Sequence, residues 1–265
     1  MKCLNPRYLR DVDRGIYVCV PCGQCLACQS NRRQQWYLRL KFETEQYINK
    51  CCFCTLTYDD DHYPSDGMLN YRDFQLFLKR LRKDISPLKI KFFACGEYGE
   101  TTLRAHYHCI IFGLSCDEAK KNIGEKWSNG FVQISPLNDA RIKYTVKYIL
   151  KQADFKEKFP NFVKPFIRCS QGLGLTTFLK NEEYFLNQGG VKIDGHYSST
   201  PRYFGNKSPR FKDRNYVDLD MNDIAVRLDL SHQAKDDWNE SNETSEQRKI
   251  NFEKRLNLFS KKDII

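Results

Sequence analysis

The sequence predicts an α+β fold: a central antiparallel sheet with flanking helices, preceded by a cysteine-rich, zinc-binding segment. Three observations carry this prediction. Short β-forming runs interleave with amphipathic helical patterns. Two of those runs stand close enough to pair as a hairpin. Four of the twelve cysteines, Cys19, Cys22, Cys25 and Cys28, recur at every third position near the start.

Taken in order, residues 1–30 read as turn-rich and cysteine-rich. Residues 30–48 read as a helix with Ser30 as N-cap and Trp36, Leu40 and Tyr47 among its apolar positions. CCFCTLTY (51–58) is a strand ended by Asp59, Asp60 and Asp61. Residues 69–84 form a strongly amphipathic helix with Phe74, Phe77, Leu78 and Leu81 on one face, closed by Pro87. Strands at 89–99 and 106–113 form the hairpin. A short helix at 117–127, a strand at 130–136 and a second clear helix at 139–152 follow. Beyond residue 155 glycines break up the pattern, and residues 233–265 are polar, read as a peripheral helix or partly disordered tail. The domain organisation expected is a Cys-rich segment and helix packed on the core (1–48), a sheet-and-helix core (49–190) and a C-terminal extension, peripheral or partly flexible (191–265).

Composition narrows the function. The chain has 265 residues, 41% hydrophobic and 14% aromatic, which supports a packed core and argues against global disorder. No apolar run is long enough to span a bilayer, and the first residues lack the apolar stretch of a secretory signal, so no membrane association is expected. A formal net charge of +10 suggests a polyanionic partner, most simply nucleic acid. The cysteines scattered through apolar runs read as buried thiols in a reducing compartment rather than a disulfide framework.

His106 and His108 lie two apart on a strand and so project from one face, with Ile110 and Phe112 continuing it. Two adjacent imidazoles suit a divalent metal. Glu97, on the other arm of the hairpin, completes a two-histidine, one-carboxylate set with open positions; Glu100 reads as a solvated turn residue. On the 139–152 helix, Ile142, Val146, Ile149 and Ala153 form the core stripe. Tyr144, Lys147, Tyr148 and Lys151 fall on the opposite side, one turn apart in pairs. Helix geometry leaves two readings open: a passive aromatic and basic stripe against a phosphate backbone, or two tyrosine nucleophiles with lysines supplying positive charge. Cys22, Cys25 and Cys28, with Cys3 or Cys19 as fourth, supply four thiolates for a closed structural zinc site.

A hairpin carrying carboxylate and H-x-H, followed some 36 residues after His108 by Tyr-x-x-Lys, resembles the HUH endonuclease superfamily. In order along the chain stand C-G-Q-C-L-A-C (22–28), R-R-Q-Q-W (32–36), F-C-T-L-T-Y (53–58), G-E-Y-G (96–99), R-A-H-Y-H (104–108), Y-T-V-K-Y (144–148) and Q-G-L-G (171–174). This set resembles the replication initiators of gokushovirus-type Microviridae, across residues 1–180 and P-R-Y-F at 201–204. Gln171–Gly172 stands where that family usually has Pro-Gly. The resemblance implies an HUH-like sheet and a two-tyrosine enzyme that starts rolling-circle replication. It would nick and join single-stranded DNA at an origin through a 5′-phosphotyrosine, with Mg2+ or Mn2+ on His106, His108 and Glu97. It further implies Tyr144 and Tyr148 as nucleophiles aided by Lys147, and DNA contacts by Lys151 and by Arg104, which reads equally as a solvated turn residue. Thr55 and Thr57 would lie beside the metal strand, where their residue type alone reads as β-propensity. The resemblance favours Cys3 over Cys19 in the zinc site. It places the protein in the host bacterial cytoplasm beside a host helicase and polymerase, since no Walker A pattern is present. Two alternatives compete: a non-catalytic zinc-containing nucleic-acid-binding protein, and a metal-dependent hydrolase that uses water.

Overall fold

Alternation of side chains along four long strands gives a sheet with two buried faces, each covered by helices grown from amphipathic segments. The computed structural model describes residues 3–11, 15–99, 101–151, 155–193, 196–214 and 250, without the side chains of 11, 16–19, 150, 151, 156, 157, 196 and 212–214. The described residues through Lys207 form one compact unit, and those from Ser208 belong to a second. Along the chain lie β1 (Arg7–Asp11), β2 (Ile16–Val20), α1 (Leu26–Gln46), β3 (Cys51–Tyr58), α2 (Tyr71–Asp84), β4 (Lys91–Tyr98) and β5 (Ala105–Phe112). They are followed by α3 (Cys116–Asn122), β6 (Gly130–Pro136), α4 (Asp139–Lys151), α5 (Phe155–Lys158) and β7 (Phe166–Cys169). Last come α6 (Leu175–Lys180), α7 (Glu182–Gln188), β8 (Gly190–Ile193), β9 (His196–Ser199), α8 (Arg202–Gly205) and α9 (Pro209–Arg214).

The central sheet has the order β6-β3-β5-β4-β7 and every pairing is antiparallel. Leu56, Tyr107, Cys109 and Ile111 point to one face, against Phe74, Phe77, Leu78 and Leu81 of α2 and Ala119 of α3. The helical period of those α2 positions matches the expected stripe, and Asn70 caps the helix by accepting a hydrogen bond from the Arg72 N–H at 3.0 Å. Phe53, Phe93, Ile110 and Phe112 point to the other face, against Tyr37 and Leu40 of α1 and Ile142, Val146 and Ile149 of α4. Cys52, Cys54, Cys95 and Cys109 are sealed within these strands, at most 1% exposed, and are free thiols.

Three expectations are corrected here. The first thirty residues are not only turns: β1 and β2 pair as a hairpin. α1 begins at Leu26 rather than after Ser30, which is buried inside the helix; Cys25 takes the N-cap position without a side-chain cap bond. The weak pattern after residue 155 conceals β7, which closes the sheet beside β4. At four residues it is too short to show alternation. Ala153 and, apart from Ile250, residues 233–265 lie outside the described residues.

The ordered motifs of the flanks meet on α1. The Arg39 guanidinium is sandwiched between the rings of Trp36 and Tyr203, 3.9 and 3.7 Å away. The fully buried Glu43 carboxylate pairs with Lys91 at 2.7 Å and accepts the Gly174 N–H at 2.6 Å. Gly174 has φ +74°, and a Cβ there would come within 2.5 Å of the Arg39 carbonyl oxygen, so Q-G-L-G fits the helix only with glycine at its end.

Candidate metal centre and paired tyrosines

The register of the sheet assembles the site. Glu97 on β4 pairs with His106 on β5, which pairs with Thr57 on β3; one row along, Cys95, His108 and Thr55 are likewise partners. Paired residues share a face, so the carboxylate and both imidazoles emerge together on the side covered by α4. His106 Nε2 and His108 Nε2 each lie 2.9 Å from the same Glu97 oxygen. The three ligand atoms lie within 4.8 Å of one another.

The outer nitrogens are also engaged. His106 Nδ1 lies 3.1 Å from the Arg104 carbonyl oxygen, which anchors the ring from behind while Nε2 faces Glu97. His108 Nδ1 lies 3.0 Å from the Thr55 hydroxyl, and its ring stacks on Phe53 at 5.5 Å. Burial opposes ionisation of Glu97, but hydrogen bonds with His106, His108 and the Tyr148 hydroxyl outweigh it and bring its pKa down to about 2. Burial also lowers the His108 pKa, against the pull of Glu97, which favours the neutral, ligating ring. Two imidazoles, held from behind by the Arg104 carbonyl oxygen and the Thr55 hydroxyl, with an ionised carboxylate between them, are a donor set that fits a divalent metal with open positions.

α4 lays both tyrosines over this cluster. The Tyr144 hydroxyl lies 3.3 Å from His108 Nε2, and Tyr144 is 42% exposed. The Tyr148 ring stacks on the His108 ring at 5.6 Å and meets Tyr144 edge-on at 5.1 Å. Tyr148 corrects the expectation of a non-core tyrosine pair: it is only 5% exposed. Burial, with Tyr144 and Glu97 beside it, raises its pKa well above the ordinary tyrosine value. The helical wheel misplaces it because α4 sits on the sheet with α1 alongside, so the buried arc is wider than the aliphatic stripe. Lys147 is half-buried one position before Tyr148, and the Lys151 side chain lies outside the described residues.

Arg104, expected at DNA, has partners within the chain. Its guanidinium donates to the Tyr58 carbonyl oxygen at 3.0 Å, pairs with Asp60 at 2.8 Å and stacks over Tyr63. Glu100 lies outside the described residues. Thr55 is the residue that sequence reasoning undervalues: its type signals a strand, and only the register brings its hydroxyl to His108. Thr57 is its neighbour in the same face, opposite His106.

A second cluster forms where the N-terminal loop meets α1. The sulfurs of Cys3, Cys22, Cys25 and Cys28 lie within 4.8 Å of one another, with Cys3–Cys25 at 3.8 Å and Cys22–Cys28 at 3.9 Å. Backbone N–H groups of Leu4, Cys22 and Cys25 donate to the sulfurs of Cys25, Cys3 and Cys22. Four thiolates at ~2.3 Å from a tetrahedral metal stand about 3.8 Å apart, so the donor set and its spacing fit a closed four-sulfur site. Backbone hydrogen bonds from Cys25 and Gln24 lower the Cys22 pKa to about 6, while burial raises that of Cys28 to about 12. Cys3 is the fourth sulfur of this cluster; the Cys19 side chain lies outside the described residues.

Comparison with known proteins adds to this geometry. The family model for replication-associated protein ORF2/gene-2 protein matches residues 51–153, which hold both the ligand triad and the tyrosines. Replication-associated protein ORF2 of Spiroplasma virus 4 is 30% identical over 226 residues, 75% of this chain and 71% of that protein. Replication-associated protein ORF4 of Chlamydia phage 1 is 28% identical over 210 residues, 70% of this chain and 52% of that protein. Replication-associated protein VP4 of Bdellovibrio phage phiMH2K is 27% identical over 208 residues, 69% of this chain and 65% of that protein. No solved structure matches the chain. No helix among the described residues is long and apolar enough to cross a membrane.

Proposed function

Because the chain belongs to the family of phage replication-associated proteins, we propose that it initiates rolling-circle replication by nicking and rejoining single-stranded DNA at an origin. One observation carries the reading: the Tyr144 hydroxyl sits 3.3 Å from His108 Nε2, on the triad of Glu97, His106 and His108. A binding protein or a water-using hydrolase has no use for tyrosines held over such a triad; a covalent strand transferase does.

Glu97, His106 and His108 would hold Mg2+ or Mn2+, which when bound supplies Lewis-acid polarisation of the scissile phosphate. Tyr144 is the first nucleophile, because it is 42% exposed where Tyr148 is 5% exposed. Its oxygen forms the new bond to phosphorus and gives up its proton. The bond from phosphorus to the 3′ oxygen breaks, and that oxygen takes a proton. The products are a 3′-hydroxyl and a 5′-phosphotyrosine. One phosphodiester replaces another, so the reverse attack by a 3′-hydroxyl rejoins strands without a nucleotide cofactor. Tyr148 serves the second transfer once it leaves the His108 ring. Lys147 and Lys151, each three residues after a tyrosine, offset the developing negative charge. Zn2+ on Cys3, Cys22, Cys25 and Cys28 is structural, since four thiolates leave no open position. The protein would act in the host bacterial cytoplasm with a host helicase and polymerase.

The test is an SDS-resistant protein–DNA band formed from origin-containing single-stranded DNA with Mg2+ or Mn2+. Tyr144→Phe is expected to lose most of the adduct and Tyr148→Phe chiefly the second transfer, with none left in the double variant. An adduct that survives in the double variant would overturn the reading.

A further inference from the structure

The sheet row that carries the triad does not stop at the metal ligands. From β4 outward, Glu97, His106, Thr57 and Phe131 are successive cross-strand partners. All four therefore project from one face. Phe131, on the edge strand β6, is 69% exposed, the most exposed aromatic among the described residues. Its strand neighbours Val132 and Ile134 point the other way, into the α2 side of the core. Exposed Gln133 follows Phe131 on the open face, paired with Thr55. Two inter-strand spacings, about 10 Å, separate Phe131 from His106.

A phenylalanine this exposed contributes little to the core and leaves its ring free to gain by covering a partner. Here it continues the row of the reacting centre, with the hydroxyl of Thr57 between and the amide of Gln133 beside it, in a chain of net charge +10. We infer that Phe131 is a stacking platform for one nucleobase of the single-stranded substrate, next to the phosphate held at the triad. Every base has a π-face, so one ring fixes the strand's position without demanding a sequence. The inference rests on the single-stranded DNA reading proposed above and adds to it the residue that sets where the strand lies.

The test uses the full chain and two fluorescent probes of about 20 nucleotides, oligo(dT) and a fully abasic strand of the same length. Both carry the same phosphates, so their affinity ratio isolates the bases. Wild-type protein is expected to prefer oligo(dT), and Phe131→Ala to lose roughly fivefold or more of that preference, the lower end for one base–aromatic stack. Phe131→Trp is expected to keep the preference and to show fluorescence quenched by oligo(dT) but not by the abasic strand. An unchanged preference in Phe131→Ala overturns the inference. So does a change in sedimentation with the preference intact, which would make the ring a contact between copies of the chain. A wild-type protein indifferent to bases also overturns it, while the adduct gel run on origin-containing DNA judges the nicking reading separately.

Discussion

The Thr55 hydroxyl is the smallest group in the site with a consequence that can be measured. It holds His108 Nδ1 at 3.0 Å and so fixes the ring whose other nitrogen faces Glu97. Thr55→Val keeps the shape and the β-branched side chain and removes only that bond. Partners behind a ligand commonly contribute roughly 10–100-fold to metal affinity. Thr55→Val is therefore expected to weaken Mn2+ binding by about tenfold or more in titration calorimetry, with thermal stability little changed. Equal Mn2+ affinity in the two proteins would remove Thr55 from the site. The triad itself is legible in the sequence because strand alternation and a hairpin are enough to bring Glu97, His106 and His108 together. Thr55 and the buried state of Tyr148 are not. The first depends on which residue of another strand lies opposite, the second on how a helix seats on the sheet.

α1 links the two clusters. Its first turn carries Cys28, and further along the Tyr37 hydroxyl and the Lys41 ammonium both hold Asp139 at the start of α4, each at 2.6 Å. Cys25, at the N-cap of α1, makes no side-chain cap bond and instead stands in the four-sulfur cluster, so a metal held there would tie down the start of the helix. Extraction of zinc by a strong chelator is expected to raise hydrogen exchange in the first turns of α1 and to lower the melting temperature by several degrees, leaving β3–β5 protected. Unchanged exchange at residues 22–30 would show that the cluster holds no metal. Elements with a long, strong period are legible: α2, α4, β3 and β6 lie where the pattern puts them. β1, β2 and β7 escape because four or five residues carry too little alternation. The start of α1 is misplaced because a serine is the usual cap, and here cysteines stand in its place.

At the scale of the whole molecule, two apolar layers back on to one sheet, and four of the sheet's thiols are almost wholly enclosed. Cys52, Cys54, Cys95 and Cys109 are at most 1% exposed. Cys54 and Cys95 have pKa values held well above the ordinary thiol value. For Cys54 the neighbouring thiols Cys109 and Cys52 dominate, and for Cys95 burial does. A thiol must be both ionised and reachable to be alkylated; Cys54 and Cys95 meet neither condition while the strands stay zipped, and burial keeps Cys52 and Cys109 out of reach. The central sheet therefore contains its own clock. At iodoacetamide concentrations high enough for alkylation to outpace reclosing, modification of these four side chains is expected to proceed together, at the rate at which the sheet opens, and mass spectrometry would record all four labelled or none of them.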